Sequence, residues 1–285
     1  VMVRGNCFLN KDSLTKLKEH GLKYLLNRTA GYNHIDIQAC KELGIEVAFV
    51  PGYSPNAISE LALTLSLMLL RHTAYTTNLT HQGDFRVTST MFSREIRECT
   101  VGILGCGRIG LTTAKLFKGL GAKVVGYDVY QSEAAKQVVE FLPLDEFLKQ
   151  SDIISCHMPY IKGQNENFIN EEFISKMKDH AILVNTARGE VLDLEAAVKA
   201  IENNKLDGLA IDVIANEKSL FFKNFENGKM DTPLHQKLID LYPRILITPH
   251  VASSTDKALN DMIEVSLQNM DEYLNTGKCK NSLIK

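Results

Sequence analysis

The sequence predicts a doubly wound α/β fold, built on a mostly parallel sheet, with a second and smaller α/β domain. Three observations support this prediction. Short apolar runs alternate with helical patterns after Thr100, as repeated βαβ units do. A glycine-rich turn, "GILGCGRIG", joins the first of these runs to a helix. The length of 285 residues suits one large or two medium domains.

The elements before Thr100 begin with "VMVRGN", whose first residues already read as part of a strand. "KYLLNRTAG" then predicts a strand and a turn, "HIDIQACKELG" a helix stopped by Gly44, and "IEVAFVPG" another strand. Pro55 suits the first turn of a helix, so we predict a helix from Asn56 to at least Leu70.

The strands predicted after Thr100 are "TVGILG", "AKVVGYD", "DIISCHM", "AILVNTA", "LDGLAIDV" and "RILITPH". The clearest helices are Arg108–Leu120, Leu194–Asn203 and Thr255–Thr276, and Asn216–Leu234 reads as a long excursion between two strands. Ligands of such sheets bind at the carboxyl ends of the strands. We therefore expect the residues that end these strands to form one rim.

Composition and charge exclude several classes of partner. The formal net charge is −2, from 32 basic and 34 acidic residues, so nucleic acid and anionic membranes are poor partners. The longest apolar stretch, Ala57–Leu70, contains polar residues and is too short to span a bilayer. The six cysteines are scattered, without metal-ligand spacing, which indicates reduced thiols, a cytoplasmic protein and no metal site.

The motif "VGILGCGRIG" places Gly105, Gly107 and Gly110 in the G-x-G-x-x-G pattern between a strand and a helix. The first glycine permits a tight turn, the second lets the backbone approach a pyrophosphate, and the third lets helix and strand pack closely. Asp128 ends the next strand, 18 residues after Gly110. Its carboxylate suits the ribose hydroxyls of an adenosine and would repel a 2′-phosphate, which favours NAD over NADP.

Arg188 follows the buried run "ILVNTA", although an unpaired guanidinium is costly to bury. It would either pair with Glu190 or Asp193 or bind an anionic ligand. Glu217 and His250, close to two further strand ends, favour a ligand, because the three residues then meet at one rim.

These stretches together resemble the D-isomer-specific 2-hydroxyacid dehydrogenase family, which reduces 2-oxo acids with NADH. The matching motifs, from Arg28 to Ser254 and in family order, are "RTAGYNHID", "VPGYSPNAISE", "VGILGCGRIG", "CHMPY", "NTARGEVLD", "GLAIDVIANE" and "ITPHVASS". The resemblance implies a Rossmann cofactor domain over residues 53–253. It also implies a flavodoxin-like substrate domain over residues 1–52 and 254–285, N-terminally incomplete in this sequence.

The resemblance also assigns roles to single residues. Arg188 would bind the substrate carboxylate and polarise the keto oxygen, and His250, braced by Glu217, would be the general acid and base. The family's formate-oxidising members have glutamine where Glu217 stands, so glutamate indicates hydroxyl and ketone chemistry. Further substrate contacts fall on Ala30, Gly31 and Tyr53. Further cofactor contacts fall on Arg108, Ile109, Met158, Pro159, Asn165, Thr186, Ala187 and Asp212.

The branch of the family most similar to this sequence contains D-lactate, D-2-hydroxyisocaproate and (R)-2-hydroxyglutarate dehydrogenases. "VMVRGN" and "MFSREIRECTVGILG" look most like the last of these. We expect Arg4 to bind the distal carboxylate of 2-oxoglutarate, unless it is a surface residue. Ser253 stands where some relatives carry a bulky aromatic residue, which leaves room for a longer acid. The alternative substrates are the precursors of D-lactate and D-2-hydroxyisocaproate.

Two further expectations concern partners. The apolar helix Asn56–Leu70 lies where relatives form a homodimer, so we expect a homodimer here. The family also contains NAD(H)-sensing transcriptional corepressors that keep the same fold and the Arg, Glu and His set. A binding protein of this kind is the alternative from another functional class, although the sequence contains no tail or linker that would recruit a partner.

Overall fold

The computed structural model describes residues 1–5 and 7–284 of the chain. The strands, in chain order, are β1 (Met2–Val3), β2 (Tyr24–Asn27), β3 (Glu46–Ala48), β4 (Thr100–Leu104), β5 (Lys123–Tyr127), β6 (Glu140–Phe141), β7 (Ile153–Cys156), β8 (Ala181–Asn185), β9 (Leu206–Ile211) and β10 (Ile245–Ile247). The α-helices are α1 (Lys11–Glu19), α2 (Ile37–Glu42), α3 (Pro55–Leu70), α4 (Thr73–His81), α5 (Arg108–Gly119), α6 (Glu133–Lys136), α7 (Leu144–Gln150), α8 (Glu171–Lys176), α9 (Leu194–Glu202), α10 (Pro233–Asp240) and α11 (Asp256–Thr276).

The chain divides into two compact units, one formed by Val1–Pro55 with Ser253–Lys285 and the other by Asn56–Ala252. This division does not test the role of either unit, so the predicted substrate and cofactor domains and their limits stay predictions. None of the helices in the described part of the chain is both long enough and apolar enough to cross a bilayer.

The smaller unit contains a parallel sheet in the order β1-β2-β3. Its core includes Leu14 of α1, Cys40 of α2 and Val47 of β3, all buried. Helix α11 contacts β2, where Tyr273 stacks on Tyr24 with ring centroids 4.7 Å apart. Thr255 caps the start of this helix through its side chain, and its end is set by Gly277 at φ 69°, a conformation that favours glycine.

The larger unit contains a parallel sheet in the order β10-β9-β8-β7-β4-β5-β6. Its central strands are apolar on both faces, as a parallel sheet covered on both sides requires. Helices α3 and α5 pack on one face, with Leu65, Phe117 and Ile103 in the same core. Helices α7, α8, α9 and α10 pack on the other face, around residues such as Phe147 and Ile201. The predicted doubly wound fold is confirmed.

The structure differs from the sequence-based expectation in its short elements. β6 was not predicted, because its two residues at the sheet edge, Glu140 and Phe141, carry no alternating pattern. The predicted excursion Asn216–Leu234 is irregular as expected, apart from short 3₁₀ turns and the first turn of α10. Helix α3 begins at Pro55, as the proline indicated.

Candidate active site

All strands of the larger sheet run in one direction, so their carboxyl ends form a single edge. The segments that leave this edge are Gly105–Gly110 after β4, Asp128 after β5, Met158–Asn165 after β7, Thr186–Arg188 after β8, Asp212–Glu217 after β9 and His250 after β10. The structure therefore brings together every predicted site residue of the larger unit.

The three glycines of the turn after β4 have different surroundings, since two are packed against backbone and one faces open space. A Cβ atom added to Gly105, which has φ 92°, would lie 2.6 Å from the backbone nitrogen of Met158. A Cβ atom on Gly110 would lie 2.0 Å from the carbonyl oxygen of Gly105. Gly107 differs, because a Cβ atom there would meet nothing within 4 Å. Gly107 is the N-cap residue of α5 and has no side chain that could accept a hydrogen bond from the first turn of the helix. An anion can therefore approach the N-terminus of α5 at this position.

Asp128 is held in place by the backbone at the same edge. One carboxylate oxygen accepts a hydrogen bond from the Cys106 N–H at 2.6 Å, and the other accepts from the Tyr130 N–H at 2.8 Å. The first bond ties the acid to the glycine-rich turn. Each oxygen keeps further acceptor capacity for hydroxyl groups, so the residue fits a ribose.

The loop after β7 is closed by its own polar side chains. The Asn165 side chain accepts from the Ile161 N–H at 2.7 Å and donates to the Pro159 carbonyl at 2.7 Å. Glu166 accepts from the Tyr160 hydroxyl at 2.7 Å. Asn165 therefore shapes the loop that begins with Pro159, and its contact with the cofactor stays a prediction.

The turn that presents Arg188 is built by a buried amide and a glycine. Asn185 donates to the Arg188 carbonyl at 2.8 Å and accepts from the Ala187 N–H at 3.0 Å. A Cβ atom on Gly189 would lie 1.8 Å from the carbonyl carbon of Ile214. The glycine thus lets this turn lie against the segment after β9.

Arg188 is half-buried, and its guanidinium Nη1 donates to the carbonyl of Ala187 at 2.6 Å. None of the ion pairs within the described residues involves Arg188, and Asp193 instead caps α9 through the Ala196 N–H. The predicted alternative, an ion pair with Glu190 or Asp193, is therefore not observed. Most of the guanidinium donors stay available to an anion.

His250 and Glu217 form a close pair. The imidazole Nδ1 lies 2.8 Å from one carboxylate oxygen of Glu217 and 2.9 Å from the other. His250 has φ 53°, which is uncommon for a residue with a side chain, and its N–H donates to the Asp212 carbonyl at 2.9 Å. A carboxylate that accepts a hydrogen bond from Nδ1 orients the ring and leaves Nε2 for proton transfer.

Asp212 is fully buried and holds the turn on which His250 lies. Its carboxylate accepts from the Thr248 hydroxyl at 2.6 Å, the Val251 N–H at 2.9 Å and the Ala252 N–H at 3.0 Å. Burial raises the pKa of this carboxyl group, and these hydrogen bonds oppose that change. The contact between Asp212 and the cofactor, implied by the resemblance, stays a prediction.

The remaining predicted residues belong to the smaller unit. Arg4 is exposed and directly follows β1. Ala30 and Gly31 lie in the loop after β2, where the Asn27 side chain donates to the Gly31 carbonyl at 2.9 Å. Tyr53 is half-buried and precedes α3. The substrate contacts of these residues stay predictions.

Sequence reasoning missed the residues that position the site. Asn185, Thr248 and Gly189 each fix a turn, but none belongs to a pattern with a chemical meaning of its own. The one available signal was a polar residue at the end of the apolar run "AILVN", since buried amides need partners. Within the described part of the chain, no group of three His, Cys, Asp or Glu residues could hold a metal ion.

The family model of the D-isomer specific 2-hydroxyacid dehydrogenase NAD binding domain matches residues 63–252. An aromatic 2-oxoacid reductase of Clostridium sporogenes is 38% identical over 285 residues, which is 100% of this chain and 85% of that protein. A D-lactate dehydrogenase from Treponema pallidum has a crystal structure similar to this chain, with a TM-score of 0.89, 37% identity, and coverage of 100% of this chain and 86% of that one. A D-lactate dehydrogenase from Lactobacillus jensenii, solved with NAD⁺, gives a TM-score of 0.87 at 33% identity, with coverage of 100% and 86%.

A dinucleotide cradle and a glutamate-paired histidine at one sheet edge are the features that an NAD-dependent oxidoreductase needs. The comparisons narrow this class, and the chain belongs to the D-isomer-specific 2-hydroxyacid dehydrogenase family. The predictions of the family, of an enzyme and of NAD as the cofactor are confirmed.

Proposed function

We propose that this enzyme interconverts 2-oxoglutarate and (R)-2-hydroxyglutarate with NAD(H). The observation that carries the chemical part is the His250–Glu217 pair, at 2.8 Å, on the same edge as Arg188. An acid that transfers a proton and a cation that binds a carboxylate are the protein groups that this reduction needs.

NADH, when bound, supplies the hydride that goes to the carbonyl carbon. Gly107, the start of α5 and Asp128 would hold the adenosine and pyrophosphate portions of the cofactor. Arg188 binds the substrate carboxylate and stabilises negative charge on the keto oxygen. His250, protonated on Nε2, donates that proton to the keto oxygen, and Glu217 orients the ring through its contact with Nδ1. In the oxidative direction, neutral His250 takes the proton back.

The choice of 2-oxoglutarate rests on Arg4 and Ser253. Arg4 is exposed and directly follows a strand of the smaller unit, so its guanidinium is accessible to a ligand. A guanidinium can bind the second carboxylate of 2-oxoglutarate through two N–H groups. Pyruvate has no second carboxylate. Ser253 is small, which suits an acid longer than pyruvate.

A second candidate substrate is an aromatic 2-oxo acid. The observation in its favour is the similarity over the whole chain to the aromatic 2-oxoacid reductase of Clostridium sporogenes. A small residue at position 253 suits an aromatic side chain as well as a carboxylate chain. Pyruvate and 2-oxoisocaproate remain the alternatives from the D-lactate and D-2-hydroxyisocaproate branch.

The test is NADH consumption with 2-oxoglutarate, phenylpyruvate, 2-oxoisocaproate and pyruvate, using the wild type, Arg4→Met and Arg97→Met. Arg97 is exposed and pairs with Glu95, so it serves as the matched control. We expect 2-oxoglutarate to have the highest kcat/KM in the wild type, and Arg4→Met to lose about tenfold for this substrate alone. A wild type that prefers phenylpyruvate, or an Arg4→Met variant with unchanged ratios, would reject the 2-oxoglutarate proposal.

We also propose that the enzyme is a homodimer. The apolar residues of α3 are buried or half-buried within the chain, so this helix offers less surface than its sequence suggested. Exposed apolar side chains lie after α4 instead, with Phe85 and Phe92 each 76% exposed and Val87 79% exposed. Sedimentation of the wild type and of Phe85→Ser would test the proposal, and a monomeric wild type at micromolar concentration would contradict it.

The cytoplasmic location stays a prediction, which cell fractionation would test.

A further inference from the structure

Two buried polar atoms at the carboxyl edge have no hydrogen-bond partner within the described residues. They are Nδ1 of His157 and the hydroxyl Oγ1 of Thr186. The register of β7 and β8 pairs Cys156 with Asn185, so His157 and Thr186 are the next residues along adjacent strands. A buried polar group without a partner costs about 1–3 kcal/mol. Two such groups side by side indicate a ligand that completes them.

Both side chains lie on the face of the sheet that carries α5. Ser155 and His157 are two residues apart, and the alternation along β7 therefore gives them the same face. Val184 and Thr186 are related in the same way along β8. Val184 belongs to the core that α5 shares with the sheet. This is the face on which the glycine-rich turn leads into α5.

His157 is in direct contact with the cofactor cradle. Its N–H donates to the Leu104 carbonyl at 2.7 Å, and its carbonyl carbon would lie 2.8 Å from a Cβ atom on Gly105. β4 and β7 are neighbours in the sheet although β5 and β6 separate them in the chain. This is the point where the strand order reverses, and the carboxyl ends of such strands are where nucleotides bind.

The imidazole of His157 is fixed by a second side chain. Its Nε2 lies 2.9 Å from the hydroxyl of the buried Ser155. Burial lowers the pKa of His157 to about 3, so the ring is neutral at physiological pH. When Ser155 donates to Nε2, the single ring proton is carried by Nδ1, the atom without a partner.

We propose that His157 is a cofactor-binding residue, whose Nδ1–H donates to an oxygen of the pyrophosphate or adjoining ribose of bound NAD. Ser155 is the positioning residue that selects the donor tautomer, and the Thr186 hydroxyl binds the same portion of the cofactor. A neutral donor recognises these oxygens without a charged side chain being buried. The inference depends on NAD binding and not on which acid is reduced.

The test measures NADH binding directly, by fluorescence titration of the whole enzyme without substrate. We expect His157→Phe to raise the Kd of NADH about tenfold, which is the loss of one hydrogen bond. The KM of this variant for NADH should rise together with the Kd. Its kcat and its KM for the oxo acid, measured at saturating NADH, should equal those of the wild type. His157→Asn, whose amide N–H lies near the Nδ1 position, should recover most of the affinity, which a merely structural role would not explain.

His235→Phe is the matched control. His235 also has a buried Nδ1 without a partner within the described residues, but it lies on α10, away from the glycine-rich turn. This variant should keep the wild-type Kd. A folded His157→Phe enzyme with wild-type affinity would overturn the proposal.

If His157→Phe does not fold, Ser155→Ala and Thr186→Val decide the question, because each removes one hydroxyl and adds no bulk. We expect each to weaken NADH binding about threefold to tenfold. Wild-type affinity in both, at an unchanged melting temperature, would mean that water, and not the cofactor, completes these groups.

Discussion

The two halves of the carboxyl edge are built in different ways. Around β4 and β5, the side proposed to bind the cofactor is made largely of backbone, with Gly107 leaving open space and Asp128 held by two N–H groups. Around β8, β9 and β10, the side proposed to carry out the chemistry, called here the chemical side, is made of side chains. Arg188 and His250 each lie on a turn that a buried polar residue holds, Asn185 in one case and Asp212 in the other.

This difference determines which substitutions each half of the edge tolerates. A site made of backbone groups needs the space that a glycine leaves open, so an added methyl group damages it. A side-chain site depends on particular functional groups and on the turns that aim them, so the loss of one group is the damaging change. The effects of substitutions should therefore differ in kind between the two halves.

The largest effect is expected from His250→Ala on the chemical side. Removing the acid that donates the proton should lower kcat by about 10²- to 10⁴-fold, with little change in the Kd of NADH. The measurement is steady-state NADH oxidation with the best 2-oxo acid, together with fluorescence titration of the cofactor.

His180→Ala is the control for this experiment. His180 forms the same kind of pair, with Nδ1 2.8 Å from Asp207, but it precedes β8 and so lies at the opposite edge of the sheet. Its loss should leave kcat within about twofold of the wild type, since surface pairs contribute little. Equal losses in the two variants would contradict the assignment of proton transfer to His250.

The next effect is expected from Arg188→Lys. Lysine keeps the charge but lacks the planar fork that binds a carboxylate through two N–H groups. We expect kcat/KM for the oxo acid to fall about 10²- to 10³-fold, which is typical for loss of one transition-state donor. The Kd of NADH should hold. If the oxo acid kinetics were unchanged, Arg188 would not be the substrate-binding cation.

The same comparison explains what the sequence predicted and what it did not. The glycine pattern specifies its own local geometry, so the cradle and the following α5 were predicted from a few adjacent residues. Strand ends in a parallel sheet meet at one edge, which let Arg188 and His250 be placed together. The buried residues that hold the turns of Arg188 and His250 were not predictable in this way. Asp212 follows β9 and accepts a hydrogen bond from the N–H of Val251, which follows β10. No local sequence pattern encodes a contact between residues so far apart in the chain.

The third prediction compares two glycines, one from each half. Gly107→Ala should fold normally, because its Cβ atom would meet nothing within 4 Å and its φ of −77° suits alanine. Its NADH affinity should fall about tenfold or more, because the methyl group fills the space for the pyrophosphate. Gly189→Ala should instead lose about 1–3 kcal/mol of unfolding free energy, since its Cβ atom would lie 1.8 Å from the backbone of Ile214.

Urea unfolding and NADH titration of both variants give the measurement. The comparison of the two halves would be wrong if Gly107→Ala unfolded early while Gly189→Ala kept the wild-type stability. An NADH affinity of Gly107→Ala equal to that of the wild type would argue against the cradle itself.

The smallest effect is expected from Asp212→Asn. The amide nitrogen would face one of the N–H donors of Val251 and Ala252, which costs about 1–2 kcal/mol, but the substitution also removes a buried charge. Folding raises the pKa of this carboxyl group through burial. The folded chain thus binds the proton more tightly, and wild-type stability falls as pH rises from the ordinary pKa to the raised one.

Asparagine does not titrate, so the unfolding free energy of the wild type minus that of Asp212→Asn should shrink across this acidic window and stay constant above it. Urea unfolding at a series of pH values measures the difference. A difference that grew with pH would mean that the hydrogen bonds from Thr248, Val251 and Ala252 outweigh burial. Asp212 would then stabilise the His250 turn as an anion, and the chemical half of the edge would depend on its charge as well as on its shape.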